Sequence, residues 1–161
     1  MTAALYMDRT GKMHRPQKDA VITGRTGAFA ACVAKGQILM TWPVEGLAEL
    51  PGGGIDEGED IATAMVREIY EETGVTCPKL KPAQEYRQKV SYYSVDNDEY
   101  WDYRQTFWLL KDPQLEKLVF EGESKPEDAE KAKWVKLDEL KKLPLHAIHR
   151  QALKSFGLWS E

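Results

Sequence analysis

Residues 53–75 read GGIDEGEDIATAMVREIYEETGV, and this stretch constrains the fold more than any other. An α-helix turns about 100° per residue, so Glu68, Glu71 and Glu72 fall within an arc of roughly 100°. Met65, Val66 and Ile69 fall within a neighbouring arc of about the same width, which can face a core. Glu59 and Asp60 suit a helix start, where acids complement the dipole. Gly74 suits the residue just past the end, where a left-handed backbone costs glycine nothing. The pattern predicts a helix over about 59–73 with three acids crowded at its C-terminal pole.

That pole is electrostatically unfavourable. Like charges three or four residues apart each cost about 0.2–0.5 kcal/mol. Acids near a helix C-terminus oppose the macrodipole by a further ~0.3–1 kcal/mol each. Arg67 is the one basic residue inside the helix. A solvated acidic face is one reading. A bound divalent cation is the other, and oxygen-only ligands select a hard ion, Mg²⁺ with Mn²⁺ as a substitute.

The full spacing separates the two. Gly53, Glu59, Arg67, Glu68, Glu71, Glu72 and Gly74 stand at fixed offsets, with aliphatic Ile69 and Val75 between and after them. This run resembles the signature of the Nudix hydrolase family at every position, and Leu50-Pro51-Gly52 resembles the usual approach to it. Seven identities at ordinary residue usage coincide by chance roughly once in 10⁸ windows. The resemblance implies an α/β fold of Nudix type, an α/β/α sandwich with a mixed, partly antiparallel sheet. It implies hydrolysis of the pyrophosphate linkage in a nucleoside diphosphate joined to another moiety X. Dinucleoside polyphosphates and nucleoside triphosphates are among the substrates it admits. The alternative is a non-catalytic nucleotide sensor on the same fold, disfavoured because every acid is retained.

Carried over by position, the resemblance makes Glu68 and Glu72 the principal metal ligands, with Glu71 on a second ion or its water and the Gly53 carbonyl completing the shell. Arg67 then orients a carboxylate, Glu59 first. Glu68 joins Arg67 among the catalytic residues. The general base is a box glutamate or an acid from a later loop, where Glu123, Glu127, Asp128 and Glu130 precede a strand at Trp134. Glu127 is the preferred candidate.

Substrate contacts are harder to read. Tyr92 lies at a spacing that resembles the tyrosine marker of diadenosine polyphosphate hydrolases. Strands favour tyrosine, so sheet packing explains it equally well. Arg87, Lys89 and Arg104 could meet outer phosphates, or simply line an exposed strand. His14, His146 and His149 lack the spacing of a zinc site and are expected at the surface.

The remaining chain sets bounds. A length of 161 residues fits one domain, 1–161, with residues 1–19 as an N-terminal arm or edge element. Net charge is −4, which argues against general adhesion to polymeric nucleic acid or anionic membrane but leaves room for a small nucleotide. Cys32 and Cys77 are too few for a disulfide framework and read as small buried hydrophobes. No apolar run of membrane-spanning length and no signal-peptide core is present, so the cytoplasm is expected. A homodimer is compatible with the sequence, which does not fix oligomeric state.

Along the chain, short strands are expected at Ala20–Thr23 and Gly27–Ala34, with a Lys35-Gly36 hairpin leading to Gln37–Trp42. Pro43–Gly46 should break that strand, and Glu49–Gly54 should be a loop. After the helix, 85–95 and 100–110 read as strands around a 96–98 turn, followed by a charged loop over 111–132. A short strand at Trp134–Leu137, a short helix at Leu137–Lys142 and an amphipathic helix over Leu145–Phe156 complete the pattern.

Overall fold

The computed structural model describes residues 4–77, 80–111 and 132–160. Its strands are β1 (Tyr6–Met7), β2 (Met13–His14), β3 (Ile22–Ala34), β4 (Gln37–Val44), β5 (Leu47–Glu49), β6 (Gly52–Gly54), β7 (Gln84–Ser94), β8 (Glu99–Leu110) and β9 (Ala132–Lys136). Helix α1 covers Ile61–Thr73 and α2 covers Arg150–Ser155, the latter preceded by 3₁₀ turns at Leu137–Lys142 and Ala147–His149.

The strand order is β2-β1-β7-β8-β3-β4-β5, with β6 paired to β3 and β9 paired to β4. β3 and β8 run parallel, as do β1 and β7, and the other pairs are antiparallel. The sheet is therefore mixed, as expected. Side chains alternate along β3. Ala28, Ala30 and Cys32 pack with Ala64, Met65 and Ile69 of α1, while Phe29 and Ala31 pack with Phe107, Leu153 and Phe156 on the opposite face. The small residues facing α1 let the helix approach the sheet closely. Fully burying Met65 or Ile69 is worth roughly 1.5–3 kcal/mol each.

The sequence divided the chain more finely than the structure does. The two strands expected around residues 20–34 are one thirteen-residue strand, β3. Pro43 does not end β4. The register shifts between Thr41 and Val44, and such an irregularity accommodates a residue without an N–H. The expected 49–54 loop holds β5 and β6 instead, because Gly52–Gly54 pairs with Gly27–Phe29. The C-terminal amphipathic segment starts as a 3₁₀ turn and becomes α-helical only from Arg150. The charged segment that was to carry Glu123, Glu127, Asp128 and Glu130 lies outside the described residues.

Neither cysteine forms a disulfide among the described residues, and both are buried. Burial pushes the Cys32 thiol up, which suits a small core residue rather than a nucleophile. Among the described residues, no helix is long and apolar enough to cross a membrane.

Candidate active site

Helix α1 begins where the Asp60 side chain accepts from the Thr63 N–H at 2.7 Å. It ends where Gly74 takes φ 74° and donates its N–H to the Tyr70 carbonyl. These caps, two residues inside the expected start and at the expected end, fix the rotation of the acids relative to β6. The Glu72 carboxylate accepts the Gly52 N–H at 2.9 Å. The Glu68 carboxylate lies so close to Gly53 that a Cβ there would sit 2.8 Å from its carboxyl carbon and both oxygens. Glu71 stands further out, its side chain 52% exposed against 13% for Glu68.

Arg67 ties this arrangement together. Its Nε and Nη2 donate to the two oxygens of Glu59, each at 2.8 Å. Its Nη1 donates to Glu68 at 2.8 Å and to Glu71 at 3.2 Å, and Nη2 also donates to the Gly54 carbonyl at 2.9 Å. Asp56 lies 3.5 Å from the same guanidinium. The planar fork is thus fully engaged, which a lysine could not reproduce. The hydrogen bonds from Arg67 hold the Glu59 carboxyl down to about 2, and those to Glu59 push the guanidinium up. Burial raises Glu68 above the ordinary carboxylate range, although Arg67 pulls the other way. Arg67 therefore acts as a positioning group for Glu59 and Glu68.

One guanidinium shared by Asp56, Glu59, Glu68 and Glu71 leaves this corner strongly negative. The donor set is oxygen only, and Glu68 and Glu72 converge on the Gly52–Gly53 backbone from successive turns of one helix. Such a set fits a hard divalent ion.

The substrate candidates separate. Arg87 and Arg104 line an open cleft of about 450 Å³ with Lys89, beside Ile55 and Ile61. Tyr92 is 6% exposed and packs among Trp101, Tyr103 and His146, so its ring serves the core rather than an exposed stacking surface.

The histidines correct the expectation of surface positions. His146 and His149 are buried and stack at 4.4 Å between ring centroids. Glu49 joins them, each of the three offering a ligand atom within 4.8 Å of the others. The His149 Nδ1 accepts the Leu50 N–H at 3.2 Å and the His146 Nδ1 accepts the Ile148 N–H at 3.4 Å. Each neutral ring then carries its proton on Nε2, and an ion there would require rearranging both backbone contacts. Burial pushes His146 down to about 3 and lifts Glu49 to about 7, and His149 also lies well below its usual value. The trio is a polar cluster at β5 whose two imidazoles are each held by a backbone N–H. No spacing of histidines foretold it, because Glu49 lies about a hundred residues from His149 in sequence.

The NUDIX domain family matches residues 21–156. The chain belongs to the Nudix family. A solved MutT NUDIX hydrolase from Burkholderia pseudomallei is 30% identical with a TM-score of 0.55, covering 82% of this chain and 97% of its own. A protein named RNA pyrophosphohydrolase from Sphingopyxis alaskensis is 29% identical over 68% of this chain and 75% of its own length. Another of that name from Brucella ovis is 59% identical, but over 34 residues, 21% of this chain and 19% of its own. This Nudix chain is a hydrolase, and its membership supports nucleotide pyrophosphohydrolase activity in general. Nudix hydrolases generally use divalent metals, in accord with the donor set on α1.

Proposed function

We propose that this chain is a Mg²⁺-dependent pyrophosphohydrolase of nucleoside diphosphates linked to a second moiety. The observation that carries the reading is the convergence of Glu68 and Glu72 on the Gly52–Gly53 backbone. Glu68, Glu72 and the Gly53 carbonyl would hold Mg²⁺, and Glu71 would serve a second ion; Mn²⁺ is the natural substitute. Bound there, the ion supplies phosphate charge neutralisation and acidifies water.

Water attacks one phosphorus and the bridging P–O bond breaks. The bridging oxygen departs with the leaving phosphate, giving a nucleoside monophosphate and phosphorylated X, or pyrophosphate when the substrate is a triphosphate. Arg67 keeps Glu68 and Glu59 in place throughout. A carboxylate must receive the proton of the attacking water. Glu68 and Glu127 are the two candidates, and Glu127→Gln in single-turnover kinetics assigns the role: a lost chemical step gives it to Glu127, a retained one to Glu68.

The test is a nucleotide panel assayed with Mg²⁺, covering dinucleoside polyphosphates, nucleoside triphosphates, nucleotide sugars and a 5′-triphosphorylated RNA. The RNA is included because of the names of the relatives, although the net charge of −4 argues for a small nucleotide. Release of nucleoside monophosphate, or of pyrophosphate from the RNA, that EDTA and Glu72→Gln both abolish supports the reading. Turnover that ignores both overturns it. Tight nucleotide binding with no product would instead favour the sensor alternative.

A further inference from the structure

The cleft that holds Arg87, Lys89 and Arg104 lies on the α1 side of the sheet, lined also by Thr26, Thr106 and Ile55. Lys89 and Arg104 are direct cross-strand partners between β7 and β8. Arg87 is opposite Thr106 on the same face, and Thr26 of β3 flanks Arg104 on its other side. Like charges directly opposite one another in a sheet are destabilising, and opposite charges there would stabilise it. The chain nonetheless places two cations face to face and a third one pleat away.

Neither Lys89 nor Arg104 has an ion-pair partner among the described residues. Arg87 donates through Nε to Glu85 at 2.7 Å, which leaves its terminal amino groups for other acceptors. The acids on this face sit at its ends. Glu85 is held by Arg87 and by the Trp108 indole, and Asp102 lies against the Tyr6 hydroxyl. Among the described residues, no carboxylate lines the cleft itself. Two basic groups without an ion-pair partner among the described residues, and the remaining amino groups of Arg87, therefore surround a void and present a seat for several negative charges at once. Guanidinium and phosphate match in geometry as well as charge.

The position of the cleft says which anion. Its wall at Ile55 follows directly on Gly54, whose carbonyl Arg67 holds, and its floor at Gly27 is the register partner of Gly54. The cleft begins where the acidic socket ends, two residues or about 7 Å along the chain from Gly53. A phosphate chain lying across the socket would reach it with its next member.

We propose that Lys89, Arg104 and Arg87 seat the outer phosphate of a substrate with three or more phosphates in line. This rests on the pyrophosphohydrolase reading above and narrows it, favouring nucleoside triphosphates and dinucleoside polyphosphates over nucleotide sugars. The socket and the cleft divide the substrate between them, one taking the bond to be cut and the other the charge beyond it.

The experiment measures inorganic tripolyphosphate binding by calorimetry in EDTA and fixed salt, where the acidic socket repels the probe. Wild type, the Lys89→Gln/Arg104→Gln double variant and the exposed Lys141→Gln control are compared. The proposal expects the double variant to bind at least about tenfold more weakly and the control to match wild type. In parallel, its KM for a nucleoside triphosphate should rise by a similar factor with kcat retained. Equal tripolyphosphate affinity in wild type and double variant overturns the proposal. If the double variant loses tripolyphosphate while wild type hydrolyses no nucleotide, the cleft stands as an anion seat and the hydrolase reading falls.

Discussion

The Glu68 carboxylate occupies the space where a side chain at position 53 would begin, and a Cβ added to Gly53 would meet its three terminal atoms at 2.8 Å. Gly53→Ala should therefore move Glu68 without unfolding the protein, because a carboxylate on a flexible stem can swing aside. The Mg²⁺ concentration for half-maximal activity should rise about 10–100-fold, the range for disturbing a ligand's support. An unchanged Mg²⁺ titration would show that Glu68 does not hold the ion.

Glu68→Gln removes a half-buried charge whose ionised form the fold disfavours. Its kcat should fall by about a hundredfold or more. Its melting temperature at pH 7 should stay level or rise, since the desolvation of this carboxylate outweighs its pairing with Arg67. A large drop in stability would indicate that the Arg67–Glu68 contact is chiefly structural.

Arg67→Lys keeps the charge but loses the fork that spans Glu59, Glu68 and the Gly54 carbonyl. A reduction in kcat of about tenfold or more is expected, with KM for nucleotide little changed because Arg67 faces carboxylates. Combining it with Glu59→Gln should add much less than the sum of the two, since both break one network. Strict additivity would separate Arg67 from Glu59.

The buried polar cluster at β5 makes stability depend on pH with a definite sign. His146 stays neutral in the fold down to about 3, whereas the unfolded ring takes a proton below 6.5. The unfolded state then binds more protons, so stability falls as pH drops from 6.5 towards 3, and His149 acts in the same direction. Glu49 acts in the opposite direction. Its folded carboxyl keeps its proton to about 7 while the unfolded one loses it above 4.5, so stability declines as pH rises across that window. With two histidines against one carboxyl, thermal melts should peak near pH 6.5. Glu49→Gln should abolish the decline on the alkaline side and steepen the acid limb. A melting temperature flat between pH 4 and 7 would contradict the burial of these groups.

Helix α1 was legible because everything that defines it is local. Its caps, apolar stripe and acidic pole all lie within two dozen residues, and side-chain periodicity reports each of them. β6 was not legible, because three glycines carry no pattern and become a strand only when β3 offers its edge. The role of Pro43 was misread for a related reason. A register shift depends on the partner strand, which local sequence does not show. The histidines failed most completely, since the pocket that buries them is assembled from β5 and the C-terminal turns. Arg87 and Arg104 stand out by charge alone, but their shared face with Lys89 emerges only from the β7–β8 register.

The parallel pairing of β3 with β8 has a consequence for how the molecule is made. Ile22 pairs with Tyr100 and Cys32 with Leu110, partners separated by about eighty residues, and contacts of such span close late. As the polypeptide leaves the ribosome, α1 is synthesised well before the strand that completes the platform beneath it. The greasy side of the helix and the open margin of β3 must wait, uncovered, for β7 and β8 to arrive. Nascent chains halted shortly after Gly74 should then be the form most prone to clump or to be captured by chaperones.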